Sequence, residues 1–141
     1  MQVLYTASAT STGDGRSGHV RTVDGILDLD LVPPTEMGGA GGGANPEQLF
    51  AAGYAACFHS ALRAVARRTK VDVTDSAVEA EVSIGPNGAG GYELTVALVV
   101  DLPAASRAAA EELVAQAHQV CPYSNATRGN VEVALRVRAA A

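Results

Sequence analysis

Short strand-like runs separated by turn residues occupy the first thirty positions, and apolar and acidic residues alternate from Ile26 to Val32. Residues 2–9 read as a strand, residues 19–23 as a second, and Asp24-Gly25 as a hairpin turn into a third over Ile26 to Val32. In that third run Ile26, Asp28 and Asp30 share one face and Leu27, Leu29 and Leu31 the other, so one face is expected buried and one wet. Pro33-Pro34 ends the strand, and a glycine-rich loop follows over residues 38–43. Asn45-Pro46-Glu47-Gln48 then carries a helix-start signature: a good N-cap, proline at the first helical position, and glutamine spaced for a capping box. The helix is predicted to run to about Thr69. Its first half is apolar nearly all round, as in a buried helix, and its second half, with Arg63, Arg67 and Arg68, is amphipathic.

Residues 76–84 and 91–100 alternate like an antiparallel pair across a turn at Gly85-Pro86-Asn87-Gly88. Residues 104–120 predict a second helix with Leu113, Val114, Ala117 and Val120 as its apolar stripe, stopped by Pro122 just after Cys121. Residues 131–138 read as a last strand, with Val131, Val133, Leu135 and Val137 facing inward. The order βββ-α-ββ-α-β describes one α+β domain over residues 1–141. One layer of sheet is hard put to cover a helix this apolar. A homodimer is therefore expected, with two such helices packed together inside sheets from both chains.

Composition narrows the function classes. The 141 residues are 48% apolar and only 18% charged, with a formal net charge of −5, and Lys70 is the single lysine. A nucleic-acid surface needs clustered Lys and Arg, and a polybasic membrane anchor needs the same. Met1 to Ala9 has neither a basic start nor a long apolar run, so no signal peptide or transmembrane segment is read there, and a cytoplasmic location is the expectation. Two cysteines are too few for a secreted disulfide framework. In a reducing compartment they point either to chemistry or to core filling.

Cys57 lies twelve positions past the Asn45 cap, beyond the reach of the helix dipole, which fades within the first turn. An ionised thiol there needs a cation brought in from elsewhere. Arg16, in the glycine-flanked loop Gly15-Arg16-Ser17-Gly18, is suited to supply it; the plainer reading is a solvated turn residue. Glu47 sits in the first helical turn, where the macrodipole alone favours an acid. Ten residues separate Glu47 from Cys57, about 15 Å along an unbroken helix. Either the helix breaks near Gly53, or Glu47 acts by holding Arg16, or it comes from a partner chain; the Arg16–Glu47 pairing is favoured. Cys121, at a helix end, is expected to be accessible and mobile. His59 points to a different helix face from Cys57. His118 shares a face with Cys121, but two ligands are too few for a zinc site. The glycine run lacks the lysine and following helix of a phosphate loop, and reads as a flap or as room for the backbone.

The stretches from Asn45 to Phe58 and from Val120 to Asn130 (Val-Cys-Pro-Tyr-Ser-Asn-Ala-Thr-Arg-Gly-Asn) resemble the two cysteine motifs of the organic hydroperoxide resistance (Ohr) proteins of the OsmC superfamily. The resemblance extends along the whole chain, through the Arg16 loop and the Asp24-Gly25 hairpin. The Ala126 to Asn130 stretch favours the Ohr branch. It implies an intertwined homodimer, central helices wrapped by antiparallel sheets, and active sites at the subunit interface. Cys57 would be the peroxidatic thiol, Cys121 the resolving thiol, and Arg16 with Glu47 the activating pair. Also implied are organic or lipid hydroperoxides as substrates, a dihydrolipoyl-bearing protein or small dithiol as reductant, and no metal or haem cofactor. Phe50, Phe58, Pro33 and Pro34 are candidates for the apolar surface that selects the substrate's organic group. Kept beside this are an OsmC-type peroxidase of broader specificity and a redox sensor or hydrophobic-ligand carrier without turnover. The glycine-rich loop at 38–43 is the one departure from the family pattern.

Overall fold

The Asp24-Gly25 turn organises the first sheet. Gly25 takes φ 74°, a left-handed conformation that glycine adopts without strain, and its N–H closes onto the Thr22 carbonyl at 2.9 Å. In the computed structural model, which describes residues 1–140, β2 (His19–Thr22) pairs antiparallel with both β1 (Ala9–Thr12) and β3 (Asp28–Asp30). The strand expected over residues 2–9 begins only at Ala9, because there the chain comes opposite Thr22 and can form ladder bonds. Upstream, Val3, Leu4 and Tyr5 are exposed. The expected burial of one face of the third strand holds only at its end: Leu31 is buried and Leu29 half-buried, while Leu27 is exposed. Beyond β3 the chain turns through Thr35–Met37, and the glycines give the backbone room. A Cβ on Gly39 would lie 2.0 Å from the Pro33 carbonyl oxygen, and one on Gly43 would lie 2.6 Å from a Val32 methyl.

These elements belong to a first compact unit, Met1–Leu49; a second extends from Phe50 onward. Helix α1 (Pro46–Thr69) begins with the capping box formed in both directions. The Asn45 side chain accepts from the Gln48 N–H at 2.9 Å, and the Gln48 side chain accepts from the Asn45 N–H at 3.1 Å. It runs unbroken past Gly53 and ends where Lys70 turns left-handed, φ 58°, and the Val71 N–H returns to the Ala66 carbonyl. Within one chain only a stripe of α1 is buried. Only Tyr54 and Phe58 are buried in the first half, where Ala52 and Ala56 are exposed; Ala61, Leu62, Val65 and Ala66 are buried in the second. One sheet covers one stripe of the helix, not its circumference. Among the described residues α1 is the one helix long and apolar enough to cross a membrane. Its buried stripe against the sheet and its arginines are those of a core helix.

The second sheet has the order β4 (Ala77–Pro86), β5 (Tyr92–Ser106), β6 (Glu132–Ala140). It is mixed, where antiparallel sheets were expected: β4 runs antiparallel to β5, but β6 lies parallel to it. The physical reason is the connection, since helix α2 (Arg107–Val120) and helix α3 (Pro122–Thr127) carry the chain back to the starting end of the sheet. Strand β5 is six residues longer than its predicted end and contains Pro103. Pairing with β4 stops at Asp101, so the proline lies where β5 has a neighbour on one side only. The core joins the α1 stripe to Val96, Leu98, Val100 and Leu102 of β5 and to Leu113, Val114 and Ala117 of α2. Val133, Leu135 and Val137 of β6 pack against it.

Candidate active site

The Arg16 turn is a single 3-10 turn, Gly15–Ser17, closed by the Gly18 N–H on the Gly15 carbonyl at 3.0 Å. Gly18 is required: a Cβ would lie 2.1 Å from the Thr12 carbonyl oxygen. From this turn the guanidinium reaches the first turn of α1 and grips Glu47 with both nitrogens, Nη1 to Oε2 at 2.8 Å and Nη2 to Oε1 at 2.7 Å. The two-pronged geometry fixes the plane of the guanidinium as a single contact would not. Arg16 holds the Glu47 carboxyl below the usual carboxylate range, against the opposing effect of burial. The pairing favoured from sequence is therefore present, and the unbroken α1 removes the alternative of a helix break near Gly53.

The two cysteines meet in the second unit. Both are free thiols, and the Cys121 Sγ lies 3.6 Å from the Cys57 Sγ. Cys57 is half-buried on α1. Burial pushes its thiol up; the Tyr123 backbone N–H, donating to the sulfur, pulls it down; the neighbouring Cys121 adds to the rise. Cys121 is fully buried, which corrects the expectation of an accessible, mobile helix end. The cause is α3. Pro122 was read as a stop, but it stands at the first position of a new helix, where its missing N–H costs nothing. The Cys121 N–H bonds the Ala117 carbonyl at 2.9 Å and its carbonyl accepts from the Asn125 N–H at 2.9 Å. The residue is thus pinned by both helices.

Three aromatic rings flank the pair. Tyr123 contacts Tyr54 and Phe50 at centroid distances of 5.7 and 6.4 Å, and Phe50 meets Tyr54 edge-on at 6.2 Å. Of the substrate-surface candidates, Phe50 is half-buried beside this cluster and Phe58 is fully buried in the core. Pro33 lines a shallow cleft of the first unit with Val32, Met37 and Gly39, and Pro34 is half-buried next to it. His59 bonds Ser76 at 2.9 Å, and His118 bonds Ser124 at 2.7 Å. No cluster of metal-ligating side chains occurs among the described residues.

The model of the OsmC-like protein family matches residues 39–136, most of the chain and both cysteines. This chain belongs to the OsmC/Ohr family. The organic hydroperoxide resistance protein of Xanthomonas axonopodis pv. citri is 52% identical over 136 residues, covering 95% of this chain and 94% of its own length. OhrB of Bacillus subtilis is 48% identical over 136 residues, with coverage of 96% and 98%. The crystal structure of an organic hydroperoxide resistance protein from Legionella pneumophila superposes with a TM-score of 0.92 at 54% identity, covering 96% of this chain and 98% of that one.

Two features of this OsmC/Ohr protein escaped the sequence reading. One is the short helix α3 after Cys121, signalled by Pro122 followed by Ser124 and Thr127 one turn apart. The other is a buried polar cluster in which Tyr54 hydrogen-bonds Ser124 and Thr127, 70 and 73 residues away in sequence, at 2.9 and 3.1 Å.

Proposed function

We propose that this protein is a thiol-dependent peroxidase that protects against organic hydroperoxides by reducing them to alcohols. The relatives are named for organic hydroperoxide resistance. The observation that carries the reading for this chain is the free thiol pair at 3.6 Å, with a backbone N–H directed at the outer sulfur.

In this scheme the Cys57 thiolate attacks the distal peroxide oxygen. The O–O bond breaks, two sulfur electrons pass to the leaving alkoxide, and the alkoxide takes a proton to become the alcohol. Cys57 is left as a sulfenic acid. Arg16, oriented by Glu47, is the cation that holds Cys57 ionised against the effect of burial and meets the charge developing on the departing oxygen. Cys121 then attacks the Cys57 sulfur; the S–O bond breaks, an S–S bond forms, and hydroxide leaves with the thiol proton as water. An external dithiol, of dihydrolipoyl type, exchanges with the disulfide and restores both thiols. The working form is a homodimer, which the uncovered Ala52 and Ala56 face of α1 and the exposed Val3, Leu4 and Tyr5 support, and its place is the cytoplasm, where both thiols stay reduced.

The test is a dihydrolipoamide-coupled assay comparing cumene hydroperoxide with hydrogen peroxide. Steady turnover faster on the organic substrate is expected. Cys57→Ser should abolish it, and Cys121→Ser should allow one thiol oxidation with no intramolecular disulfide. A single stoichiometric oxidation in the wild type would mark a sensor and refute the proposal, as would full turnover by Cys57→Ser.

A further inference from the structure

The buried polar cluster forms a hydrogen-bond chain whose direction is fixed throughout. Each hydroxyl has one hydrogen to give. Thr127 gives its own to the Ser124 carbonyl at 3.2 Å. Its oxygen must therefore accept from the Tyr54 hydroxyl, 3.1 Å away. Tyr54, having spent its hydrogen, must accept from the Ser124 hydroxyl at 2.9 Å. Ser124 in turn must accept from the His118 Nδ1, at 2.7 Å. The imidazole is thus held with its hydrogen on Nδ1. Burial, with the Arg128 charge nearby, lowers the His118 pKa and favours the neutral ring. Tyr54 and Ser124 are fully buried and Thr127 nearly so, where an unmade bond is expensive.

The placement of this chain has a functional consequence. His118 is three residues before Cys121, at the end of α2, and Ser124 is three residues after it, in α3. Tyr54 is three residues before Cys57 on α1, one helical turn away. The chain therefore ties the turn of α1 that carries Cys57 to the helix corner that carries Cys121. Arg128 adds a second clamp on the corner, its Nη2 donating to the His118 carbonyl at 2.6 Å.

We propose that His118, Ser124, Tyr54 and Thr127 are positioning residues for disulfide closure, holding the buried Cys121 sulfur ready for Cys57. The inference rests on the thiol-peroxidase reading. Closing the pair from 3.6 Å to a bond of about 2.05 Å needs a shift of roughly 1.5 Å, within reach of side-chain rotation if the corner stays fixed. A loosened corner lengthens the life of the Cys57 sulfenic acid. A second hydroperoxide then oxidises it to the sulfinic acid, its O–O bond breaking and a second alcohol leaving. The chain acts more strongly on the competition between closure and over-oxidation than on the first attack.

The experiment mixes reduced full-length protein with cumene hydroperoxide and follows sulfenic acid, disulfide and sulfinic acid by rapid quench and intact mass. Tyr54→Phe and Ser124→Ala should slow closure about five- to tenfold, the weight of one buried hydrogen bond, and raise the sulfinic-to-disulfide ratio by the same factor. The rate constant of the first oxidation should fall by a smaller factor than the rate of closure, since the chain reaches Cys57 only through the Tyr123 backbone. Thr127→Val should behave like Tyr54→Phe, and Thr127→Ser, which keeps the hydroxyl, should restore closure. Leu102→Ala, a core cavity outside the chain, should lower stability and leave the ratio unchanged. Closure and over-oxidation at wild-type levels in Tyr54→Phe and Ser124→Ala would overturn the inference while leaving the peroxidase reading intact. A wild type that forms no disulfide would overturn both.

Discussion

Replacing Gly53 with alanine tests how closely α3 is seated against the cysteine helix. A Cβ at Gly53 would stand 2.9 Å from the Tyr123 hydroxyl oxygen, 3.2 Å from Cε2 and 3.4 Å from Cζ. The ring must retreat by about 0.5 Å to bring the first contact to ordinary separation. It is not free to do so at no cost, because Phe50 and Tyr54 pack against it. Overpacking of this kind costs about 1–3 kcal/mol. Tyr123 is 41% exposed and can swing toward solvent, which places the cost near the lower end. Against it stands the helix-propensity gain of alanine over glycine, about 1 kcal/mol. The two nearly cancel, so thermal and denaturant unfolding of Gly53→Ala should fall within about 1 kcal/mol of wild type. The chemistry should be less tolerant. The Tyr123 N–H that donates to Cys57 belongs to the residue being displaced, so the thiolate titration of Cys57, read by ultraviolet absorbance, should move up. Adding Tyr123→Phe removes the atom in the shortest contact, and the double variant should show a favourable coupling of about 0.5 kcal/mol or more. A Gly53→Ala protein more stable by the whole propensity gain, with Cys57 titrating as in wild type and no coupling to Tyr123→Phe, would refute this account of the packing.

Arg16→Ala should raise the Cys57 pKa and slow hydroperoxide attack, and Glu47→Gln should do the same more weakly; an unchanged thiolate titration in Arg16→Ala would remove the guanidinium from the mechanism. The Glu47 pKa is depressed in the folded state, so the stabilisation from its pair with Arg16 is present above the ordinary glutamate pKa and is lost as pH falls through the depressed value. With the Arg16 side chain 42% exposed, that contribution is below about 1 kcal/mol, and melting curves of wild type and Glu47→Gln should converge in acid. His19 bonds Asp30 at 2.7 Å through Nδ1 and Asp28 through Nε2, contacts that both require the protonated ring and raise its pKa. The clamp it provides between β2 and β3 is complete below the ordinary histidine value and is lost as pH rises through the raised one; an NMR titration of the His19 ring in which the midpoint is not raised would count against it.

Much of the first unit could be read from local chemistry, because its signals are local. The Asp24-Gly25 turn and the Asn45 to Gln48 capping box each involve residues within a few positions of one another, and both formed as their side chains dictate. Where the reading fell short, the deciding partner lay far away in sequence. Residues 2–8 have the composition of a strand, yet composition cannot supply a neighbour to pair with. Pro122 carries the same local preference whether it stops one helix or starts the next. What decided between them was the buried hydroxyls of Ser124 and Thr127, which require Tyr54 seventy residues upstream. The parallel seating of β6 likewise depends on where two helices return the chain, which no strand pattern records.

The same division explains why the two cysteine motifs could be recognised while the state of the thiols could not. The family resemblance names the sulfurs; burial sets their ionisation. Cys57 lies too far from the start of α1 for the helix dipole, and its half-burial together with the adjacent thiol drives its pKa upward. Among the described residues of the second unit the Tyr123 N–H is what opposes this, and a single neutral donor is weaker than a desolvated ionic contact. A thiolate at neutral pH therefore calls for a full positive charge. Among side chains that are always charged, a guanidinium already fixed in plane by a carboxylate loses the least freedom on meeting it. The Arg16–Glu47 pair has that form before any substrate arrives. The buried Cys121 is ready in the same sense, held by hydrogen bonds at both ends of its peptide. Both halves of the proposed reaction thus rest on groups set in advance, which is why small displacements such as the 0.5 Å asked of Tyr123 are expected to register in rate before they register in stability.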